Sequence, residues 1–406
     1  MNTKVTFFLA VFFLSINVIK AQQTLNETML HGGIIREYIV YVPASYDGES
    51  PVPLMFNFHG WTQSAHIQMN LIGDMRAIAD TAGFILVYPQ GSLFQGSTHW
   101  NVGSWTAGST ADDIGFTEAM IDTIATNYNV NINRIYSCGY SNGGFFSYEL
   151  ACQLSNRIAA IGSVAGSMST ETYSNGNPSH PTPIVEIHGT NDPIITYSGS
   201  SPAGYNSVTD VLSFWINYNN TDSSPIVTTM PDLNSADRST VEYQSYKNGD
   251  SGTMVEHYKV IGGGHVWPNI NGDPANVNVD ISASDVIWNF VSNYDINGII
   301  IPSGVVDLSK PIIDNFELAQ NYPNPFNPST TIKYGIPEES NIKLEIFNML
   351  GQSVRILVKG NKSAGFYETT WNAENLPSGT YLIRISAEGL SSKKSFTQVK
   401  KALLLK

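Results

Sequence analysis

Ser141 is the residue of this chain whose local sequence is most typical of a reactive side chain. It lies between a short apolar run at 134–138 and a helix-like stretch from residue 144, in the G-x-S-x-G pattern Gly139-Tyr140-Ser141-Asn142-Gly143. A serine on a tight turn from strand to helix carries its hydroxyl above the edge of a sheet, and the flanking glycines let the backbone turn. The same pattern also arises by chance in a glycine-rich chain, so Ser141 is a candidate nucleophile only if partner residues exist.

A serine hydroxyl is a weak nucleophile, so it needs an imidazole to accept its proton and a carboxylate to orient that imidazole. In doubly wound hydrolases these groups follow in the order serine, acid, histidine. Asp192 follows a strand-like run at 184–187, and His265 follows another at 255–261. We therefore predict Asp192 as the acid and His265 as the base. Asp113 and Asp210 are alternatives for the acid, because an aspartate in a loop also serves as a cap or turn former.

The negative charge that develops on a carbonyl oxygen during such an attack needs hydrogen-bond donors. The residue after the nucleophile supplies one, so we assign the first donor to the backbone N–H of Asn142. The sequence His59-Gly60-Trp61 follows an early strand-like run at 54–58, and we assign the second donor to the Trp61 N–H. His59 and His188 each precede a glycine after a strand, and we interpret both as residues that order their loops by hydrogen bonding.

Tryptophans near these loops are candidates for contacts with a substrate. We assign Trp100, Trp105 and Trp267 to substrate binding, although burial in a core is the usual environment of tryptophan. Neither a metal nor an organic cofactor is expected, because the serine chemistry needs none. The Asn and Asp side chains at 269–273 faintly resemble a calcium loop, but a polar turn is the favoured interpretation.

The larger part of the chain alternates strand-like and helix-like segments. Short β-branched or aromatic runs occur at 35–42, 54–58, 84–88, 135–138, 159–164 and 184–187. Apolar residues with helical spacing occur at 116–128, 208–218 and 284–294. This alternation predicts the α/β class over residues 22–297, with a mostly parallel, doubly wound sheet and helices on its faces. In such sheets functional residues gather at the carboxyl ends of the strands.

The pattern changes near residue 298. Residues 298–312 contain Gly and Pro without a usable period, which predicts a linker. Beyond the linker, apolar and polar residues alternate strictly at 342–346 and at 381–386, with turn signals between them. This predicts a small all-β sandwich over residues 313–406.

The two parts also differ in charge. Residues 1–309 hold nine Lys and Arg against 26 Asp and Glu, a net charge of −17, whereas residues 310–406 hold twelve against eight, a net charge of +4. The acidic larger part argues against a nucleic-acid partner, whose phosphates it would repel.

The first residues have the features of a secretory signal peptide. Lys4 precedes an apolar run at 7–14 that is too short to span a bilayer, and Ala21 offers a cleavage point. We therefore assign residues 1–21 to the signal and expect no integral membrane segment in the mature chain.

Export usually favours disulfides, but the chain has only two cysteines, Cys138 and Cys152. Cys152 lies about eleven residues along the helix that follows Ser141, so helical rise places it roughly 16 Å from the elbow, too far to bridge to Cys138. We predict two buried free thiols.

Together these motifs resemble a group of secreted α/β-hydrolase esterases, the polyhydroxybutyrate depolymerases and the feruloyl and acetylxylan esterases. The resemblance covers most of residues 30–295 and rests on His59-Gly60, DDIGF at 112–116, GYSNGG at 139–144, HGTND at 188–192 and GHVWP at 264–268. It implies Ser141 as nucleophile, Asp192 as acid and His265 as base, in agreement with the assignment made from the residues. In two respects the chain departs from the group: Trp61 stands where a cysteine commonly follows the His-Gly pair, and Cys152 lacks the usual disulfide partner.

Residues 313–406 resemble the C-terminal sorting domain of the type IX secretion system. The signature is FELAQNYPNPFNP at 316–328, followed by GTY at 379–381 and by Lys400 and Lys401. It implies passage through the periplasm, a secreted or cell-surface location, and the secretion machinery as a partner of residues 313–406. Without this signature, the sandwich would be interpreted as a carbohydrate-binding module in which Trp371 and Tyr381 stack on sugars.

The resemblance thus implies a serine carboxylic ester hydrolase that acts on a polymeric ester. The substrate would be a polysaccharide with feruloyl or acetyl esters, or a polyhydroxyalkanoate. Two alternatives remain open from the sequence: a serine peptidase of the same fold, and a non-catalytic cell-surface adhesin.

Overall fold

A computed structural model describes residues 22–275, 277–300, 316–321, 323–362, 365–374, 376–390 and 395–405. The chain forms two compact units that divide between Ile300 and Ile301. The predicted signal peptide, residues 1–21, and residues 301–312 of the predicted linker lie outside the described residues. In the described part of the chain, no helix is long and apolar enough to cross a membrane.

Most strands of the first unit belong to one large sheet. In chain order the strands are β1 (Gln23–His31), β2 (Ile34–Val42), β3 (Val52–Phe58), β4 (Ile85–Pro89), β5 (Ser92–Phe94), β6 (Ser97–His99), β7 (Val130–Tyr140), β8 (Ala160–Val164), β9 (Ile184–Gly189), β10 (Ile226–Thr229), β11 (Thr240–Tyr246), β12 (Val255–Ile261), β13 (Tyr294–Asp295) and β14 (Gly298–Ile299). The pairs β5–β6 and β13–β14 form separate two-stranded hairpins. Regular structure therefore continues to Ile299, past the start of the predicted linker.

The helices of the first unit follow the same alternation. They are α1 (Ala65–Ile67), α2 (Arg76–Ala82), α3 (Asp113–Asn127), α4 (Asn142–Gln153), α5 (Thr170–Asn175), α6 (Val208–Tyr218) and α7 (Ala283–Val291). A π-helical segment, Gln68–Ile72, continues α1, and short 3₁₀ turns occur at Gly103–Thr106, Ser201–Ala203, Ser235–Asp237 and Asp250–Gly252.

The ten-stranded sheet has a parallel centre and antiparallel edges. Its order is β1-β2-β4-β3-β7-β8-β9-β12-β11-β10. The six strands from β4 to β12 in that order run parallel, whereas β1, β2, β11 and β10 pair antiparallel with their neighbours. The predicted doubly wound α/β class is confirmed. The parallel register brings the carboxyl ends of β3, β7, β9 and β12 to one edge.

Apolar residues cover both faces of the central strands. On one face, Phe56 and Phe58 pack in a core that α3, α4 and α6 complete. On the other, Met55 and Tyr136 pack in a core that α2 and α7 complete. Because neighbouring residues of a strand point to opposite faces, strands covered on both sides must be apolar throughout.

The two cysteines lie in these two different cores. Cys138 belongs to the core on the α7 face and Cys152 to the core on the α4 face. Both are buried free thiols, as predicted, and burial raises the pKa of both. Thiols with raised pKa are poor nucleophiles, so a structural role is the one that fits.

The second unit contains two antiparallel sheets around one apolar core. Its strands are β15 (Glu317–Leu318), β16 (Ser329–Ile336), β17 (Ser340–Asn348), β18 (Ser353–Lys362), β19 (Gly365–Asn372), β20 (Gly379–Gly389) and β21 (Ser395–Leu404). Strands β15, β16 and β19 form one sheet, and β18, β17, β20 and β21 form the other. This agrees with the predicted sandwich. Trp371 and Tyr381 are buried in its core, which contradicts the alternative in which they stack on sugars.

A buried ion pair joins β2 to the start of α3. The Arg36 Nη2 lies 2.6 Å from Asp113 Oδ1, and both side chains are almost fully buried. The second Asp113 oxygen accepts a hydrogen bond from the backbone N–H of Asn101 at 2.7 Å. The guanidinium carbon also lies 4.0 Å from the centre of the Phe116 ring. Asp113 therefore fixes both β2, through Arg36, and the loop before α3, through the N–H of Asn101.

We predict that Asp113→Asn strongly destabilises the first unit. Removing one partner of a buried ion pair leaves an uncompensated charge, so the free energy of unfolding should fall by about 3–5 kcal/mol. Urea denaturation followed by circular dichroism measures this loss. The matched control is Asp122→Asn, which breaks the exposed contact of Asp122 with Arg157 and should cost less than about 1 kcal/mol. Equal losses in the two variants would contradict the prediction.

Candidate functional site

Ser141 lies on a strained turn between β7 and α4. Its backbone angles are φ 54° and ψ −116°, in the left-handed half of the map that non-glycine residues rarely adopt. A Cβ atom at Gly143 would collide with the carbonyl of Phe58, and one at Gly139 would collide with the backbone of Gly143. The Ser141 N–H donates to the Val164 carbonyl at 2.8 Å, which fastens the turn to β8. The predicted tight turn from strand to helix is thus present.

Asp192 and His265 are in direct contact. The His265 Nδ1 lies 2.7 Å from Asp192 Oδ2. The other Asp192 oxygen accepts hydrogen bonds from the N–H groups of Ile194 at 2.8 Å and Ile195 at 2.9 Å. The Asp192 side chain is fully buried and that of His265 is 14% exposed. Because an ionised carboxylate only accepts, Nδ1 carries the donated proton and Nε2 is left as the acceptor that a general base requires.

Parallel neighbouring strands place these two residues at the same edge. Asp192 follows β9 and His265 follows β12, which pair with each other. The loop that carries Asp192 is also bonded to the end of β12 and to the loop that follows it. The Thr190 N–H donates to the Val260 carbonyl and the Asn191 N–H to the Gly263 carbonyl, each at 2.9 Å.

Tyr140, the residue before the serine, connects the histidine loop to the turn at Ser141. Its hydroxyl donates to the His265 carbonyl at 2.7 Å, and the two rings lie 5.1 Å apart between centroids. The structure therefore brings Ser141, Asp192 and His265 to one region of the sheet edge.

The two alternative acids lie elsewhere. Asp113 is engaged with Arg36 and with the Asn101 N–H. Asp210 is exposed in the first turn of α6, where it accepts a hydrogen bond from the Ser207 hydroxyl at 2.6 Å. Asp192 is the carboxylate that contacts His265.

The first proposed oxyanion donor, Asn142, begins α4. The N–H of the first residue of a helix has no partner within the helix, so it is available to a ligand. The Asn142 side chain is occupied in another way: its Oδ1 accepts from the Trp100 N–H at 2.7 Å and its Nδ2 donates to the Trp100 carbonyl at 3.0 Å. This double hydrogen bond fixes the loop after β6 against the helix start.

His59 fixes the peptide that contains the second proposed donor. Its Nδ1 donates to the Gly60 carbonyl at 2.7 Å, and its Nε2 accepts from the Gly91 N–H at 2.9 Å. The carbonyl of Gly60 and the N–H of Trp61 belong to one planar trans peptide and point in opposite directions. Holding the carbonyl therefore sets the direction of the Trp61 N–H. Burial lowers the pKa of His59 to about 4, so the ring is neutral near pH 7 and keeps this donor–acceptor pattern.

The prediction that His59 orders its loop is thus confirmed. Its local sequence shows only that a histidine precedes a glycine after a strand. The target of its hydrogen bond, the Gly60 carbonyl, becomes visible in the structure alone.

One of the three tryptophans assigned to substrate binding is available to a ligand. Trp105 is partly exposed and stacks on Phe145 of α4, with centroids 4.6 Å apart and planes 8° from parallel. The partly exposed Trp61 ring meets Trp105 edge-on at 5.9 Å. Because Phe145 is one helical turn from Ser141, these rings form an aromatic shelf, defined as Trp61, Trp105 and Phe145, beside the serine.

The assignments of Trp100 and Trp267 to substrate contact were wrong. The Trp100 side chain is fully buried, and its Nε1 donates to the His59 carbonyl at 2.9 Å. Trp267 is also buried, and its Nε1 donates to the Ser284 hydroxyl at 3.2 Å. Both rings are core residues whose single polar group is satisfied internally.

The stretch 269–273 forms a polar turn. The Asn269 side-chain oxygen accepts from the Asn271 N–H at 2.9 Å, and an Asp273 oxygen accepts from the Ala275 N–H at 3.0 Å. These are the local hydrogen bonds that Asn and Asp make in turns, in line with the favoured interpretation.

Two family models match parts of the chain. The family described as Phospholipase/Carboxylesterase matches residues 107–221, which include Ser141 and Asp192. The family described as Secretion system C-terminal sorting domain matches residues 320–399, within the second unit.

The chain is also similar to curated proteins. It is 26% identical to the bifunctional acetylxylan esterase/xylanase XynS20E of Neocallimastix patriciarum, over 70% of this chain and 37% of that protein. It is 29% identical to feruloyl esterase B of Piromyces equi, over 57% of this chain and 42% of that protein. The chain thus spans less than half the length of these two relatives.

Among solved structures, an acetyl xylan esterase from Aspergillus awamori superposes with a TM-score of 0.47 and 14% identity, covering 67% of this chain and 99% of that one. The resemblance drawn from the sequence, to feruloyl and acetylxylan esterases and to a sorting domain, is confirmed.

We predict that protonation of His59 contributes to acid sensitivity of the first unit. The folded-state pKa of about 4 lies below the unfolded value of 6.5, so the unfolded chain binds the proton first. Stability should therefore fall as the pH drops from 6.5 to about 4, by roughly 3 kcal/mol from this group. Denaturant unfolding across that window measures the slope, which His59→Asn should flatten. The control His66→Gln removes an exposed histidine and should leave the slope unchanged; equal slopes in all three proteins would refute the prediction.

Proposed function

We propose that the chain is a secreted serine carboxylic ester hydrolase that works through an acyl-enzyme. The observation that carries the proposal is the 2.7 Å contact between Asp192 and His265. The His265 loop is bonded to Tyr140, the residue before Ser141 on the strained turn. A serine on a tight turn, a carboxylate and an imidazole, in this chain order, are the groups that such catalysis needs. The relatives named as esterases support the same chemistry.

In the proposed reaction the Ser141 oxygen attacks the ester carbonyl while the His265 Nε2 takes the hydroxyl proton. The carbonyl oxygen becomes negative and accepts hydrogen bonds from the N–H groups of Asn142 and Trp61. His265 then gives its proton to the leaving alcohol, and the acyl group stays on the serine. Water, deprotonated by the same imidazole, then attacks the acyl carbonyl. The bond to the serine oxygen breaks, the acid leaves, and the imidazole returns its proton to the serine. Asp192 holds the imidazole in the tautomer that these steps require.

The proposed substrate is a feruloyl or acetyl ester of a polysaccharide. The named activities of the relatives support this class. A polyhydroxyalkanoate is the alternative, since the same mechanism would cleave its esters. The aromatic shelf favours a feruloyl group over an acetyl group. A feruloyl group contains a flat aromatic ring that can stack beside Trp105, whereas an acetyl group has no ring to stack. The net charge of −17 over residues 1–309 disfavours a strongly anionic polymer.

We further propose that the protein is exported to the medium or the cell surface through the periplasm. The predicted signal peptide at residues 1–21 would direct the first step. The match of residues 320–399 to a sorting-domain family supports the second, with residues 313–406 as the part that the type IX secretion machinery recognises.

We predict that Ser141→Ala lowers kcat/KM for p-nitrophenyl acetate by three or more orders of magnitude, because the nucleophile is lost. Circular dichroism should show unchanged folding. Asp192→Asn should cost less than Ser141→Ala, and Asp210→Asn should leave the rate unchanged, because Asp210 lies away from His265. An unchanged rate in Ser141→Ala would refute the mechanism.

Comparison of amide with ester substrates separates the proposed esterase from a peptidase. The adhesin alternative predicts that a fluorophosphonate probe does not label Ser141.

We predict that Trp105→Ala weakens the use of an aromatic acyl group. Loss of one stacking partner should raise KM for methyl ferulate roughly three- to tenfold, while the rate on acetylated xylan and on short hydroxybutyrate oligomers changes less than about twofold. Trp105→Phe keeps a ring in place and should restore most of the loss. Equal losses on all three substrates would mean that Trp105 supports the loop and does not select the acyl group.

A further inference from the structure

A second histidine–carboxylate pair lies buried behind Asp192. Glu186 and His188 lie two residues apart on β9 and so on the same face of the sheet. The His188 Nδ1 is 3.0 Å from Glu186 Oε1, and the His188 Nε2 is 3.4 Å from Asp192 Oδ2. That Asp192 oxygen is also the one that contacts His265. The four side chains therefore form one continuous series of polar contacts, three of them fully or almost fully buried.

The polar atoms within hydrogen-bonding reach of the His188 ring are acceptors. Glu186 faces Nδ1, while the Ile195 carbonyl at 2.8 Å and the Asp192 carboxylate face Nε2. A neutral imidazole has only one N–H, so this environment calls for a second proton. Burial acts to lower the pKa of His188, but the hydrogen bond and the charge of Glu186 outweigh burial and raise that pKa. Burial also raises the pKa of Glu186, against the opposing hydrogen bond and charge of His188. The second proton therefore belongs to the buried Glu186–His188 pair, and the ring, which faces acceptors at both nitrogens, is the member placed to carry it.

Among the described residues, the ion pairs of Asp192 are those with His265 and His188. Tyr148 from α4 donates to the second Glu186 oxygen at 2.7 Å and so fixes the carboxylate. From β12, His257 donates to or accepts from Tyr197 at 2.9 Å, and burial lowers its pKa to about 3, so it is uncharged near pH 7. Three other titratable or charged groups face the cluster: Tyr197, Lys259 and Tyr140. Lys259 lies over the Tyr197 ring, and the Tyr140 hydroxyl donates to the His265 carbonyl.

We propose that Glu186 and His188 are positioning residues for the triad, acting through a positive charge that they hold behind Asp192. This inference rests on the proposed function. A positive charge on the far side of Asp192 stabilises the ionised carboxylate and makes the His265 imidazole harder to protonate. His265 must be neutral to accept the serine proton, so the pair keeps the base active at lower pH than an isolated aspartate would.

The test is the pH profile of kcat/KM on p-nitrophenyl acetate in Glu186→Gln/His188→Gln. The double variant removes both buried charges together, so that neither is left unpaired, and the amides retain hydrogen-bonding groups. We expect the acid limb of the profile to move upward by roughly 0.5–1 pH unit and kcat to fall about tenfold, with KM within about twofold of the wild-type value. A folded double variant whose acid limb stays at the wild-type position overturns the proposal.

The matched control is His257→Gln, the same substitution in a buried histidine of the adjacent strand. His257 contacts the Tyr197 hydroxyl and the Glu186 carbonyl rather than Asp192. It should lower the melting temperature without moving the acid limb. An equal shift in this control would mean that the profile responds to general loosening of the core, which also overturns the proposal.

Nuclear magnetic resonance of the wild-type protein gives a readout that needs neither a variant nor a substrate. The ¹⁵N resonances of His188 should show two protonated ring nitrogens at pH 7, where an ordinary histidine has lost most of its charge. A single protonated nitrogen near pH 7 overturns the proposal. If the wild-type protein hydrolysed no ester, the proposed function would fail, whereas the protonation state of His188 would still be decided by this measurement.

Discussion

The Asp192 carboxylate is completely buried, and much of the surrounding structure supplies polar contacts that offset the free-energy cost of burying its charge. An unpaired charge in such a position would be strongly destabilising. Two backbone N–H groups bind one oxygen, and two imidazole rings approach the other. The chain after β9 must therefore fold back over the carboxylate, and the loop after β12 must stay within reach of it. The parallel pairing of these two strands meets both requirements at once.

The start of α4 positions several other residues of the candidate site. The positive φ of Ser141 costs about 1–3 kcal/mol. The backbone approaches so closely at Gly139 and Gly143 that neither position has room for a Cβ atom. One residue later, the Asn142 side chain binds both backbone groups of Trp100. One turn later, Phe145 carries the stacked ring of Trp105. The proposed nucleophile, one proposed oxyanion donor and the stacked ring of Trp105 are thus all positioned by a single helix terminus.

The sequence predicted the elements whose signals are local. Strand β12 and helix α6 have the predicted bounds, because their apolar spacing and their turn residues are read from neighbouring positions. Helix α7, expected at 284–294, ends at Val291, because Tyr294 instead pairs with Ile299 in a short hairpin. At the candidate site, the positions of Asp192 and His265, each after a strand-like run and in the order serine, acid, histidine, were enough to predict that the two side chains act as a pair. Contacts over long sequence distances were not predictable: Trp100 is buried through Asn142, 42 positions away, and Arg36 meets Asp113 across 77 positions.

The location of Cys138 and Cys152 in cores on opposite faces of the sheet has a consequence for how the protein can be made. The sheet itself separates the two sulfur atoms, so their oxidation to a disulfide is incompatible with the native packing. Maturation of the first unit is then independent of the redox state of the compartment in which the chain folds. The first unit can therefore acquire and keep its native structure under reducing and oxidising conditions alike, without the thiol–disulfide catalysts that form and rearrange disulfides in other proteins.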